Sequence, residues 1–359
     1  MPYVLPIGPY HPALEEPYKL KLTCKGEVVE KVDVEIGFIL RSIELLAQQR
    51  NYIQDLVLVE HVCGICSNVH AMTFAMAAES IARIQLPDRA RYIRTIMAEL
   101  ERLHSHLLWA GIAAEDIGFR TMFMEVYQLR EKVMDILEAI SGNRVNYGMI
   151  AIGGVTRDIT DPGMILAGVR EVRRGLEKDA IPVFTKNATV KTRTAGIGVL
   201  PRADALAYGA VGPVARASGV QSDIRADFPY AAYPDLGFQP VFAEAGDVQA
   251  RLVVRALEML ESLRLIERAL NELPGGPVRI TDPFPVIPAG EATARTEAPR
   301  GEVIYYLASD GTDKPARVKI RTPSFVNIPS VQAMVTGQFL ADIPLIQASV
   351  DPCCSCTDR

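Results

Sequence analysis

The segment Glu60-His-Val-Cys-Gly-Ile-Cys-Ser-Asn-Val-His70 contains two cysteines three positions apart, and a second pair lies in Cys353-Cys-Ser-Cys356. Two cysteines with this spacing on a turn can both point at one metal ion. The pairs stand near opposite ends of a 359-residue chain, whereas the halves of a local zinc finger lie within a few tens of residues. The sequence therefore predicts a large folded body that brings four thiolates to one soft transition-metal centre.

The composition is that of an ordinary globular protein, with 49% apolar and 23% charged residues. A net charge of -5 argues against a nucleic-acid partner. We find no secretory signal and no apolar run of the roughly 18 residues that cross a bilayer, so we expect membrane association only through partners. Six cysteines without an export signal are typical of a reducing compartment, where thiols bind metals or do redox chemistry.

The apolar periodicity predicts one domain over residues 1–359, mainly α with a small α+β portion, as a long-helix bundle with peripheral short β-sheets. Residues 1–35 are predicted to be β-rich, residues 36–275 to form the helical body, and residues 276–359 to be rich in loops and to hold a hairpin and the second cysteine pair. The predicted helices span 36–50, 68–84, 88–114, 119–140, 160–180 and 247–273, and the predicted hairpin pairs 302–307 with 316–320.

Four thiolates alone are also typical of a closed structural zinc site, which does no chemistry. Three details favour a reactive centre. His70 follows Cys66 by four residues and can face back toward the metal from the expected helix. Pro352 stiffens the chain before the second pair, since proline fixes its own φ and restrains Asp351. The second pair also lies on a terminal segment, which could be inserted last.

Both cysteine segments resemble the signature motifs of nickel–iron hydrogenase large subunits, in the same order and at the same ends. Two segments also resemble the large quinone-site subunit of respiratory complex I, namely Gly8-Pro-Tyr-His-Pro12 and Arg216-Ala-Ser-Gly219 with Asp223-Ile-Arg225. This double resemblance points to the energy-converting, membrane-bound branch of the hydrogenases. Complex I subunits lack the four cysteines, so a hydrogenase is favoured. The resemblance to hydrogenases extends to His11-Pro-Ala-Leu-Glu-Glu-Pro17, Arg41-Ser-Ile-Glu44, Gly153-Gly-Val-Thr-Arg157, Arg216-Ala-Ser-Gly219 and Ala298-Pro-Arg-Gly301.

The resemblance implies a hydrogenase large-subunit fold and a nickel–iron centre whose iron carries two cyanides and one carbon monoxide. By motif position, Cys63 and Cys353 would be terminal nickel ligands. Cys66 and Cys356 would bridge nickel to iron. Such a centre splits hydrogen heterolytically, and a terminal thiolate such as Cys353 can act as the local base.

The resemblance also assigns roles around the metals. Glu16 matches the proton-transfer glutamate, with Glu15 as the neighbouring alternative. Arg300 matches the arginine beside the iron and its diatomic ligands, where a guanidinium would stabilise anionic cyanides. Ser324 matches the hydroxyl that donates a hydrogen bond to a cyanide. His70 is expected to donate to a bridging thiolate.

Glu44 matches the glutamate that helps to bind magnesium or another divalent ion. Better-known members complete that site with a C-terminal histidine, whereas Arg359 stands here. A guanidinium cannot coordinate a cation and could pair with Glu44 instead.

The electrons must leave through iron–sulfur clusters, which the remaining cysteines, Cys24 and Cys354, cannot hold. The resemblance therefore implies a small subunit with an iron–sulfur cluster, a ferredoxin-like electron carrier or subunit, and integral membrane subunits that translocate ions. We expect a peripheral subunit on the cytoplasmic side of the cell membrane. The competing hypotheses are a non-catalytic quinone-site or coupling subunit of a complex-I-like assembly, and a structural tetracysteine zinc protein.

Overall fold

The computed structural model describes residues 1–282 and 285–359, and helices make up most of its regular structure. The helices are α1 (Ile43–Ala47), α2 (Tyr52–Glu60), α3 (Ser67–Ala82), α4 (Asp88–Ile117), α5 (Arg120–Ser141), α6 (Pro162–Gly175), α7 (Ile181–Lys186), α8 (Ala188–Thr194), α9 (Arg202–Ala207), α10 (Gly212–Ala217), α11 (Ile224–Asp227), α12 (Val248–Asn271), α13 (Pro323–Asn327), α14 (Val331–Val335), α15 (Ile343–Val350) and α16 (Cys354–Thr357). A π-helical turn, Leu176–Ala180, joins α6 to α7, and 3-10 turns cover Ile328–Ser330 and Leu340–Asp342.

Within residues 1–282 and 285–359, the strands form three small antiparallel sheets. In the third sheet, residues of the central strand alternate between buried and half-buried, so Val303, Tyr305 and Leu307 point into the protein. This sheet packs against α3 and places Tyr305 beside the first cysteine segment. The strands are β1 (Tyr3–Ile7), β2 (Lys19–Lys25), β3 (Val28–Glu35), β4 (Ile150–Ala151), β5 (Gly154–Val155), β6 (Gly290–Ala298), β7 (Gly301–Ser309) and β8 (Pro315–Arg321).

The 30-residue helix α4 forms the centre of the bundle and contacts α3, α5, α12 and α15. Its apolar residues recur with helical spacing, and Ile93, Leu100 and Leu107 are fully buried. Gly118 ends the helix in the left-handed conformation (φ 89°), which glycine adopts without steric cost. Because α4 is buried on nearly every side, polar residues that it carries also lie inside the protein.

The structure confirms the predicted fold class and the long predicted helices. The helix predicted over 36–50 is wrong in its first half, since only Ile43–Ala47 is helical. Gly37 and Ile39 instead donate their amides to the carboxylate of Asp358, at 3.0 and 3.1 Å, so a tertiary contact replaces helical hydrogen bonds. The predicted hairpin is two strands of a three-stranded sheet, because β6 pairs with β7. Within the described residues, no helix is both long and apolar enough to span a bilayer.

Candidate metal centre

Four cysteine thiols from the two ends of the chain meet inside the protein. The Cys63 and Cys353 sulfurs are 3.4 Å apart, and those of Cys66 and Cys356 are 3.5 Å apart. The sulfurs of Cys63, Cys66 and Cys356 all lie within 4.8 Å of one another. All four residues are free cysteines with 1–3% of their surface exposed. Metal–thiolate bonds of about 2.3 Å place neighbouring sulfurs roughly 4 Å apart, so this donor set fits a soft-metal centre.

The two cysteine pairs have the same local hydrogen-bond arrangement, in which a nearby backbone amide donates to the first cysteine sulfur. The amide of Ile65 donates to the Cys63 sulfur, and the amide of Cys356 donates to the Cys353 sulfur, each at 3.4 Å. Such bonds favour the ionised thiol, which is the form that binds a metal. Hydrogen bonds from the Cys353, Cys356 and Cys66 thiols hold the pKa of Cys63 well below its usual value. The pKa values of Cys66, Cys353 and Cys356 are instead raised well above the usual value, so the cluster stabilises one thiolate, at Cys63, with its own groups.

Arg41 joins the two cysteine segments. Its guanidinium donates to the carbonyls of His61 and Val62, at 2.7 and 2.9 Å, and to the carbonyl of Ser355 at 2.6 Å. One side chain thus fixes the distance between the first pair and the second. Arg41 lies in the motif Arg41-Ser-Ile-Glu44, but nothing in its local sequence pattern indicates these contacts.

His70 lies beside the second pair, as the spacing predicted. Its Nε2 is 3.5 Å from the Cys356 sulfur and its Nδ1 is 2.8 Å from the Tyr305 hydroxyl. Burial lowers the pKa of His70 to about 4, so the ring is neutral at pH 7. Burial raises the pKa of Tyr305 well above 10, so its hydroxyl keeps its proton. If that hydroxyl donates to Nδ1, Nε2 carries the proton and can donate to the Cys356 thiolate. Sequence reasoning missed Tyr305.

Arg300 lies in the interior, beside the second pair. Its guanidinium donates to the Asp351 carbonyl at 2.9 Å, to the Asp351 carboxylate at 2.6 Å and to the Ser105 hydroxyl at 3.2 Å. Burial lowers the pKa of Arg300, but the charges of Asp351 and Cys353 raise it by more than this. Arg300 therefore stays charged. Ser324 accepts the Cys353 amide at 3.0 Å and, as a hydroxyl, can still donate one hydrogen bond.

Of the two candidate relay residues, Glu16 reaches the second cysteine segment. Its half-buried carboxylate accepts the Cys354 amide at 3.1 Å, one residue from Cys353. Burial raises the pKa of Glu16, although the Cys354 amide and the Arg300 charge oppose this. Glu15 is exposed. Geometry therefore favours Glu16 over Glu15 as the carboxyl nearer to the thiols.

Glu44 lies among basic groups. Its carboxylate accepts from the Lys319 ammonium at 3.0 Å, the Ile320 amide at 3.1 Å and the Arg359 guanidinium at 3.2 Å. Burial raises its pKa, but the Ile320 amide and Lys319 outweigh this effect and the pKa is lowered. The anticipated Arg359 pairing is present, and this basic environment disfavours a divalent cation. A metal role for Glu44 stays a prediction.

Buried thiols from both ends of a helical scaffold, with a fixed guanidinium beside them, are the donor set of a protein that binds a soft transition metal. The sequence profile of the family described as "Nickel-dependent hydrogenase" matches residues 41–110. The profile described as "Respiratory-chain NADH dehydrogenase, 49 Kd subunit" matches residues 116–287 and 281–359. The chain belongs to the family that unites these 49 Kd subunits with the large subunits of nickel-dependent hydrogenases.

Individual relatives agree with this assignment. The carbon monoxide-induced hydrogenase of Rhodospirillum rubrum is 45% identical over 359 residues, with 99% of each chain covered. The membrane-bound hydrogenase subunit alpha of Pyrococcus furiosus is 43% identical, over 99% of this chain and 87% of its own. A solved chain of a membrane-bound sulfane sulfur reductase, an archaeal respiratory membrane complex, has a TM-score of 0.93 and 34% identity, covering 100% of this chain and 98% of its own.

Proposed function

We propose that this chain is the catalytic subunit of a reversible nickel–iron hydrogenase in an energy-converting membrane complex. The observation that carries the proposal is the convergence of four buried thiols, 3.4–3.5 Å apart between the two pairs. The hydrogenase relatives, similar over nearly the whole chain, support the same activity.

Cys63 and Cys353 would bind nickel, and Cys66 and Cys356 would bridge it to an iron that carries the diatomic ligands. The two terminal candidates are neighbours at 3.4 Å, and so are the two bridging candidates at 3.5 Å. When bound, a nickel–iron centre supplies the heterolytic cleavage and formation of hydrogen. The chain then has to hold the anionic ligands and move the protons.

Arg300 and Ser324 suit the first task. Because Asp351 and Ser105 fix the guanidinium, its positive charge is already in position for an anionic ligand and needs little rearrangement on binding. The Ser324 hydroxyl accepts the Cys353 amide and can donate its own proton to such a ligand as a neutral hydrogen bond. His70, oriented by Tyr305, tunes the sulfur of Cys356.

Glu16 suits the second task. Burial raises the pKa of the Glu16 carboxyl, which suits a group that takes up and releases a proton. Its hydrogen bond to the Cys354 amide keeps it next to Cys353, the sulfur proposed as the local base. Glu16 would take a proton from the Cys353 sulfur. It would then pass the proton outward along the half-buried loop in which Glu16 lies.

Electrons require partners. Within the described residues, the cysteines outside the cluster are Cys24, on β2, and Cys354, which do not make a cluster site. We infer a small subunit with an iron–sulfur cluster, a ferredoxin-like donor, and integral membrane subunits that translocate ions. The chain would be peripheral to the membrane on its cytoplasmic side.

A second candidate is a non-catalytic coupling or quinone-site subunit, favoured by the 49 Kd subunit match over residues 116–359. Metal analysis, infrared spectroscopy and hydrogen–deuterium exchange on the purified complex separate the candidates. One nickel per complex, cyanide and carbon monoxide bands, and exchange activity support the hydrogenase. A metal-free, inactive complex would support the coupling subunit, and zinc alone would support a structural site.

A further inference from the structure

A second buried carboxyl contacts the first cysteine segment, whereas Glu16 contacts the second. Glu101, on α4, is fully buried and accepts the amides of Asn68 at 2.7 Å and Val69 at 3.1 Å. These amides belong to the first turn of α3, immediately after Cys66. Glu101 therefore faces the first cysteine segment, whereas Glu16 contacts the second.

Several buried polar atoms on residues near this carboxyl have no hydrogen-bond partner within the described residues. Within the described residues they include the Ser67 hydroxyl, both side-chain polar atoms of Asn68 and the Tyr147 hydroxyl, all buried. Tyr147 lies close enough to Glu101, Glu60 and Cys66 for each of their charges to act on it. Buried polar groups are almost always hydrogen-bonded, so these groups mark a polar region suited to ordered water.

Glu60 connects this region to the surface. At the end of α2, it is 5% exposed, and both its carboxylate oxygens accept the Gly148 amide at 3.1 Å. It also lines an open cavity of about 230 Å³ together with Val57, Thr156 and Arg279. Its charge acts on Glu101, so the two carboxyls are electrostatic neighbours inside the protein.

We propose that Glu101 is a second proton relay for the metal centre, connected to solvent through Tyr147 and Glu60. This inference rests on the proposed hydrogenase function and adds a route on the side of Cys66. In each transfer, one bond to hydrogen breaks at the donor and one O–H bond forms at the acceptor. No electrons move along this route, so charge balance needs no oxidant or reductant.

Charge and burial agree with the geometry. Burial raises the pKa of Glu101 well above its usual value, the Asn68 and Val69 amides lower it, and the charges of Cys63 and Glu60 raise it again. Burial raises the pKa of Glu60 to about 7, despite the opposing Gly148 amide. The raised pKa of Glu101 favours its protonated form, while Glu60 can exchange a proton with solvent near neutral pH.

A purely structural role for Glu101, capping the first turn of α3, is the alternative to exclude. Glu101→Gln keeps the shape and one acceptor oxygen but holds no exchangeable acid proton. Asp55→Asn is the matched control, since Asp55 is a fully buried carboxyl on α2 with no partner within the described residues. A capping role alone would change the stability of Glu101→Gln and leave hydrogen–deuterium exchange at matched metal content unaffected.

The first measurement is a difference infrared spectrum in H₂O and D₂O. We expect a deuterium-sensitive stretch of a protonated carboxyl that is present in wild type and Asp55→Asn and lost in Glu101→Gln. The second is hydrogen–deuterium exchange at matched nickel and iron content, which should fall several-fold in Glu101→Gln, with the Glu16 route still present. The proposal is overturned if the wild type shows no such stretch. It is also overturned if Glu101→Gln exchanges hydrogen as fast as Asp55→Asn.

If Glu101→Gln does not load metal, Tyr147→Phe provides a second test of the route. It removes one hydroxyl and should also slow exchange several-fold, and unchanged exchange in this variant counts against the route. Wild-type complex without nickel and without exchange would refute the hydrogenase function. The infrared stretch would then still decide whether Glu101 holds a proton.

Discussion

The contact between Arg300 and Asp351 is predicted to stabilise the docked C-terminal segment strongly. The two side chains are 5% and 3% exposed, and the guanidinium makes two hydrogen bonds to Asp351 and one to Ser105. The other Asp351 carboxylate oxygen has no partner within the described residues. Arg300→Met therefore leaves a buried carboxylate without its counter-ion, which costs about 3–5 kcal/mol.

The single tryptophan of the chain provides the assay. Trp109 is buried on α4 and donates to the Ala348 carbonyl of α15 at 2.7 Å, so its fluorescence reports the docking of the segment that leads to the second cysteine pair. Urea titration of wild type and Arg300→Met should show the lower stability as an earlier transition. Arg300→Lys is the matched control, because it keeps the charge but loses the two-pronged contact.

A double-mutant cycle with Asp351→Asn isolates the pair itself. Asparagine removes the buried negative charge, so Arg300→Met should cost less in that background, with a coupling of about 0.5–3 kcal/mol. A loss below about 1 kcal/mol for Arg300→Met, or additive losses in the cycle, would show that Asp351 does not depend on this guanidinium.

Four further outcomes follow from the described contacts. Cys353→Ser should prevent nickel loading, and a nickel-replete, active variant would refute the ligand assignment. Glu16→Gln should suppress hydrogen–deuterium exchange with metal content intact, whereas Glu15→Gln should not; the reverse result would move the relay to Glu15. Tyr305→Phe leaves a buried imidazole nitrogen unpaired, which should cost about 1–3 kcal/mol in urea titration and shift the infrared bands of the centre; unchanged bands would contradict the proposed orienting role. Burial raises the pKa of Asp55 from 3.8 to about 8, above its unfolded value, so wild type should lose stability as pH rises through this range. The unfolding free energy of Asp55→Asn relative to wild type should therefore rise by up to about 5 kcal/mol between pH 4 and 9, and a pH-independent difference would refute the buried neutral carboxyl.

The long helices and the cysteine ligands were predictable because their signals are local. Apolar residues recur with helical spacing along α4 and α12, and each cysteine pair has a spacing that suits one metal. Alternation by two similarly indicated β2 and β3. In each of these cases, residues a few positions apart determine the outcome.

The side chains that position the cysteine segments and His70 were not predictable, because their partners are distant in the sequence. Arg41 contacts Ser355, 314 residues away, and Tyr305 contacts His70, 235 residues away. The loop over 36–42 also departs from its helical pattern because Asp358, near the other end of the chain, accepts two of its amides. Tertiary hydrogen bonds here outweigh the local propensity, and no local pattern encodes their partners.

The C-terminal cysteine segment is held mainly by polar contacts, which explains how it can be both buried and specific. Arg41 and Arg300 donate to its carbonyls, Thr322 donates to the Cys356 carbonyl at 2.9 Å, and Asp358 accepts amides from the N-terminal loop. Each bond alone contributes only about 1 kcal/mol, but leaving any of these buried groups unpaired costs more. The docked segment is therefore most stable when all these hydrogen bonds form together. We infer that it docks in one defined register, which fixes where Cys353 and Cys356 meet the first pair.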